Sequence, residues 1–231
     1  YADAVDRYLA GETLFPMNLN TTLTDRCNFS CQVCLNRADR ELARPSDLPT
    51  DSYLKTLLFL LGKGFPLTQS ISYGGSGEAI LHPDFTKVLD FSFDRGISTF
   101  FTTNGSRHDQ RFIETVARKA SVVVFSMHGV YAEAFKQLAR PPQGVTFERV
   151  LSTIETISEL RAKYGREKEL IIGLLAIVHP SNSGHYQEFI ERMIRAGVDY
   201  ISLNPILPSP SIYGLKPSAE VTASMTDEFL K

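Results

Sequence analysis

The run Leu170-Ile-Ile-Gly-Leu-Leu-Ala-Ile-Val178 is apolar at nearly every position, with neither the alternation of a half-solvated strand nor the length of a helix. It reads as a strand covered on both faces, the kind found inside parallel sheets. Working outward, five more short runs rich in branched or aromatic residues read as strands: Leu19–Thr24, Ser70–Tyr73, Ile97–Thr102, Ser121–Met127 and Asp199–Leu203. Between them the apolar period lengthens to that of a helix, as in Tyr53, Leu54, Leu57, Leu58 and Leu61. The same period recurs from Phe85 to Ser92, from Phe112 to Ala117, from Val150 to Leu160 and from Tyr186 to Ile194. Gly96, Gly165 and Gly197 each follow such a stretch, where a left-handed cap suits glycine. Alternation of this kind predicts parallel strands joined by right-handed crossovers. An open doubly wound sheet and a complete or partial barrel both satisfy it. Six units fall short of the eight of a full barrel, so the expectation is an α/β fold, a partial (β/α)6 TIM-like barrel with outer helices.

The chain has 231 residues, 43% hydrophobic and 22% charged, a composition that excludes disordered and fibrous classes. We expect a helical extension over 1–16, a core domain over 17–206 and a connector over 207–231. The connector is rich in Pro and Ser and reads as the start of a further region. Lys+Arg 24 against Asp+Glu 26 gives a net charge of -2, so no long-range field draws the chain to nucleic acid or anionic lipid. No apolar run approaches the roughly 20 residues of a membrane span, and no basic segment leads into one. The expectation is a cytoplasmic protein with neither a nucleic-acid nor a membrane partner.

All three cysteines, Cys27, Cys31 and Cys34, fall in TDRCNFSCQVC, directly after the first strand. A disulfide framework scatters and pairs its cysteines, whereas clustered thiols in a reducing compartment are metal or redox groups. The spacing C-x-x-x-C-x-x-C lets one loop offer soft thiolates to three corners of a cubic iron-sulfur cluster. The fourth iron is then left open, as in metal centres that keep room for a reacting ligand. The alternatives are a zinc site with a fourth ligand from elsewhere, such as His82, or three unconnected thiols.

This spacing in an alternating strand-helix chain resembles the radical S-adenosylmethionine (radical SAM) superfamily, and the resemblance runs from Asn18 to about Asn204. Three further segments match in order. YGGSGEAILHPDF, after the second strand, resembles the family's glycine-rich segment that binds the methionyl amino group of SAM. TTNG at Thr102–Gly105 is similar to a common family turn, and FSMHG at Phe125–Gly129 to a segment giving a polar contact to SAM. Two positions depart from the pattern: Val33, where an aromatic residue is frequent, and Ala79, where proline is common. The resemblance implies a 4Fe-4S cluster on Cys27, Cys31 and Cys34. It also implies SAM held by Gly74, Gly75, Ser76, Gly77, Glu78, Asn104, Ser126 and Asn204.

The residue types fit that chemistry. Glycines let the backbone approach closely and turn its carbonyls to an ammonium, and Glu78 adds charge. Arg140, in LARPPQG, offers a guanidinium fork to the SAM carboxylate. His128 and His179 are candidate proton donors or substrate contacts, and the loops bearing Cys27, Gly75, Asn104, Ser126, His179 and Asn204 should converge on one mouth. The polar alternation of Asn18, Asn20, Thr22 and Thr24 suits either a lumen holding a polar ligand or an edge strand facing water.

The implied activity is reductive cleavage of SAM to a 5'-deoxyadenosyl radical that removes hydrogen from a substrate. The electron donor would be a flavodoxin or ferredoxin. With no cysteine after Cys34 for auxiliary clusters, a small-molecule or natural-product substrate is favoured over a peptide, with a peptide-modifying enzyme as the alternative. Two rivals stay open: a non-catalytic zinc or iron-sulfur module, and a SAM-binding regulatory domain without turnover.

Overall fold

The computed structural model describes residues 2–12, 18–34, 45–62 and 70–205. The expected connector over 207–231 therefore lies outside the described residues. A short helix, α1 (Ala2–Leu9), comes first. The units that follow begin with β1 (Asn18–Thr21), α2 (Thr50–Gly62), β2 (Ser70–Tyr73) and α3 (Phe85–Phe93). They continue with β3 (Ser98–Thr103), α4 (Gln110–Lys119), β4 (Val122–Ser126), α5 (Ala132–Ala139) and α6 (Phe147–Lys163). The last are β5 (Ile171–Val178), α7 (Tyr186–Arg195) and β6 (Tyr200–Pro205).

The six strands are all parallel and lie in the order β1-β2-β3-β4-β5-β6. That order decides between the two architectures. A doubly wound sheet reverses its strand order once, placing helices on both faces. With no reversal, right-handed crossovers put every helix on one face, and the sheet curls round the other. The partial barrel follows.

The helix-facing side holds the core. Ile71, Tyr73, Phe101, Val123, Phe125, Ile172 and Leu174 from the strands meet Leu57, Phe85, Val88, Phe112, Val116, Val150, Ile154 and Phe189 from the helices. Each such side chain contributes roughly 1.5–3 kcal/mol by leaving water. The glycines expected to cap helices, Gly96, Gly165 and Gly197, all have positive φ. Asp109 and Thr146 cap the starts of α4 and α6 by accepting backbone N–H bonds from Phe112 and Arg149.

Two differences from the sequence reading bear on the mouth. Regular pairing of β1 stops at Thr21, and the polar stretch beyond it makes an isolated bridge from Thr24 to Asp47. The helix α5 was not anticipated; its AEAFKQLA buries Ala134, Phe135, Leu138 and Ala139.

Candidate active site

The loop that follows β1 carries the cysteines and is fastened on three sides. Toward β2, the Glu78 backbone N–H donates to Arg26 O at 2.7 Å and Ser76 Oγ donates to Asp25 Oδ1 at 2.6 Å. Toward β3, Asn104 Nδ2 donates to Asn28 Oδ1 at 2.9 Å. Toward α5, the N–H groups of Gln32 and Ser30 donate to the carbonyls of Leu138 and Arg140 at 2.8 and 3.3 Å. The end of a helix leaves carbonyls without intrahelical partners, and here the cysteine loop satisfies two of them. Arg140 itself ends the helix in the left-handed conformation, φ 45°. Phe29 packs edge-on against Phe135 at 6.0 Å, and Val33 lies against Ala134, Leu138 and Ile177.

Glycine is required where the second strand meets this loop. Gly75 has φ +125°, and a Cβ there would run into the Thr22 side chain; a Cβ on Gly77 would run into the Thr24 carbonyl oxygen. The close approach lets Thr22 Oγ1 donate to Gly74 O at 3.0 Å.

These contacts gather the predicted residues round one cavity of about 200 Å³, lined by Cys27, Cys31, Cys34, Gly75, Ser76, Gly77, Glu78, Asn104, Ser126 and His128, among others. A second cavity, of about 400 Å³, adjoins it through Gly75 and Thr102, and Gly74 lines this one. Three predicted residues stand apart. Arg140 is exposed, and so is Asn204, which accepts from Ser202 Oγ at 2.8 Å. His179 is buried as a structural group, its Nδ1 accepting from the Ser181 N–H at 3.1 Å.

Glu78 is 5% exposed. Its Oε2 accepts the Asn104 backbone N–H at 2.6 Å, yet its Oε1 is buried with no hydrogen-bond partner. Burial pushes the carboxyl up to about 7, opposed by the Asn104 N–H and, more weakly, by the Thr103 hydroxyl and the Ile80 N–H. His128 Nδ1 is also buried without a partner, and burial pushes this imidazole down to about 4, so it is neutral at physiological pH. Buried polar atoms left unpaired are rare and ask for an explanation. Sequence reasoning identified Glu78 by its place in a motif but had no signal for its missing partner.

The proposed fourth zinc ligand is already engaged. His82 is buried with both ring nitrogens taken: Nδ1 accepts from the Asp84 N–H at 3.2 Å and Nε2 lies 3.0 Å from Leu48 O. Three half-buried thiols lining one cavity are the soft ligands that a 4Fe-4S cluster takes, and the buried Glu78 carboxyl beside them suits a cationic ligand.

A one-directional parallel partial barrel with three thiols and a glycine-rich strand end at its mouth is an α/β-barrel protein with a candidate cofactor site. The sequence profile of the Radical SAM superfamily matches residues 21–175, and the chain belongs to that superfamily, whose members use a 4Fe-4S cluster and SAM. It is 28% identical over 190 residues to the tungsten-containing aldehyde ferredoxin oxidoreductase cofactor-modifying protein of Pyrococcus furiosus, covering 80% of this chain and 50% of that protein. Its fold matches that of Streptococcus suis SuiB bound to precursor peptide SuiA, with a TM-score of 0.72 and 18% identity over 99% of this chain and 49% of SuiB. It also matches native anSMEcpe with bound AdoMet, with a TM-score of 0.67 and 16% identity over 92% of this chain and 59% of that one. The chain thus spans about half the length of the first two of these proteins. Among the described residues no helix is long and apolar enough to cross a membrane.

Proposed function

We propose that this chain is the catalytic core of a radical SAM enzyme acting on a small-molecule or natural-product substrate. The observation that carries the reading is the single cavity shared by Cys27, Cys31, Cys34 and the unpartnered Oε1 of Glu78. The thiolates would hold three irons of a 4Fe-4S cluster, leaving the fourth without a protein ligand. When bound, the cluster and SAM supply one-electron cleavage of the sulfonium to methionine and a 5'-deoxyadenosyl radical, which takes a hydrogen atom from the substrate.

The chain's own part is to bind, orient and exclude water. Glu78 receives the SAM ammonium on its open oxygen, and the arriving cation favours the ionised carboxylate. Asn104 and Ser126 add polar contacts in the same cavity. The hydrogen bonds from Ser76, Glu78 and Asn104 to the cysteine loop fix its position before any ligand arrives. Arg140 and Asn204 stand outside the cavity, and the reading does not depend on them. The reductant is proposed to be a flavodoxin- or ferredoxin-type protein. A peptide substrate is the second reading, favoured by the overlap with SuiB bound to its precursor peptide.

The test is anaerobic reconstitution with iron and sulfide, then reduction with dithionite and assay for 5'-deoxyadenosine. Product from the wild type and none from Cys31→Ala is the expected result. SAM binding without product points to a regulatory domain, and one zinc per chain with no brown chromophore to a structural module; either overturns the proposal.

A further inference from the structure

Strand β5 runs straight into His179, Pro180, Ser181 and Asn182, and the last three of these form one 3-10 turn. The His179 ring accepts the Ser181 N–H at 3.1 Å, Pro180 opens the turn with its fixed φ, and the Asn182 N–H closes it on His179 O at 2.9 Å. The turn delivers the Asn182 side chain inward, to full burial.

There both polar atoms of the amide are used. Oδ1 accepts the Val130 N–H at 3.1 Å, and Nδ2 donates to His128 O at 2.8 Å and to Ile177 O at 3.0 Å. One side chain thus grips both ends of the segment His128–Val130, which follows β4 and reaches the cysteine cavity through His128. The segment is held on two further sides. Just before it, the Met127 N–H donates to Leu175 O of β5 at 2.9 Å; beside it, Gly129 lies so near the start of α5 that a Cβ would strike the Phe135 backbone nitrogen. Ile177, whose carbonyl takes the third amide bond, packs with Val33 of the cysteine loop against Ala134 and Leu138. A buried amide with all its bonds made specifies a single arrangement of the chain around it.

The segment so fixed carries a group with no partner of its own. His128 Nδ1 is buried and unpaired, although the ring lines the cavity. Burial keeps the imidazole neutral, with one donor and one acceptor to offer. Glu78 follows β2 and His128 follows β4, with β3 between them, so the two unpaired groups reach the cavity from separate walls. We propose that Asn182 is a positioning residue for SAM binding: by fixing the His128–Val130 segment it holds the His128 ring where a ring nitrogen hydrogen-bonds the same SAM molecule whose ammonium Glu78 receives. The inference rests on the radical SAM reading of this cavity. Asn182 touches no ligand itself and acts through His128.

The test is a double-mutant cycle on cluster-reconstituted protein, read by titration calorimetry with SAM and corrected for the folded fraction from urea unfolding. His128→Phe keeps a ring and removes both nitrogens. Asn182→Ala releases the segment, while Ile177 O keeps the Tyr186 hydroxyl at 3.1 Å. Each single change should weaken SAM binding about tenfold, with iron unchanged at about four per chain. The double variant should also bind about tenfold more weakly than the wild type, not about a hundredfold, because both changes remove one contact. Asn182→Ser, which returns one hydroxyl to the site, should fall between Asn182→Ala and the wild type. Additive losses, wild-type affinity in either single variant, or Asn182 variants that do not fold overturn the inference, while 5'-deoxyadenosine formation by the wild type leaves the radical SAM reading standing. A wild type that binds no SAM overturns both.

Discussion

On its outer face the curled sheet presents Ile71, Tyr73, Phe101 and Val123, all fully buried, and even the one phenol there shares a hydrogen bond with Ser92 at 3.2 Å. At the mouth, a few residues past the ends of the same strands, Glu78 and His128 each bury a polar atom without a partner. The outer face is closed by helices, although beyond it Arg161 Nε and His108 Nε2 are also buried without a partner. The mouth is open and, on the proposed function, is completed by a ligand, so the two regions should answer differently to substitution.

The largest effect expected is on cofactor loading. Cys31→Ala should abolish reductive SAM cleavage and leave the thermal midpoint of the cluster-free protein within a few degrees of wild type, because Cys31 is only half-buried. Iron content and calorimetric melting check this; a large fall in midpoint would place the cysteine loop with the core and break the contrast.

Phe101→Ala is the reverse case. The ring is fully buried and meets Phe85 edge-on at 5.0 Å, so urea unfolding should show a loss of about 3–5 kcal/mol. Any fall in SAM affinity should be explained by the unfolded fraction alone.

Glu78→Gln sharpens the comparison through pH. A carboxyl raised from 4.5 to about 7 stabilises the fold fully below its unfolded value, and that contribution is lost as pH rises through about 7. The ligand-free wild type should lose up to roughly 3 kcal/mol between pH 4.5 and pH 8, and the variant should lack that slope. Its SAM affinity should meanwhile fall at least tenfold. A pH slope shared by both proteins contradicts this account of the mouth.

The smallest effect is on the loop fastening. Asn28 Oδ1 accepts from Asn104 Nδ2 and from Ser106 Oγ, so Asn28→Ala should remove about 1 kcal/mol of stability and weaken SAM binding a few-fold. Chemical unfolding and titration calorimetry measure the two.

Much of this architecture is legible from residue order because it rests on period and spacing. The run at Leu170–Val178 announces a doubly covered strand, and the cysteine spacing announces a metal-binding loop. The helix α5 hides for a physical reason: its buried positions are two alanines, a Phe and a Leu within eight residues, too short to establish a period. Its service to the site is a backbone matter, since the Leu138 and Arg140 carbonyls hold a loop more than a hundred residues earlier in the chain. Side-chain reasoning offered the Arg140 guanidinium as a carboxylate fork, while the contact that the fold displays is made by its carbonyl. The orphaned oxygen of Glu78 is equally invisible in one dimension, because it depends on what fails to approach it.

The most direct test of the central claim is electron paramagnetic resonance of the anaerobically reconstituted, reduced protein, recorded with and without SAM. A three-thiolate cluster with an open iron predicts a reduced 4Fe-4S signal whose g values move when SAM is added, with about four irons per chain. A signal indifferent to SAM, or stoichiometric zinc and no signal at all, contradicts it.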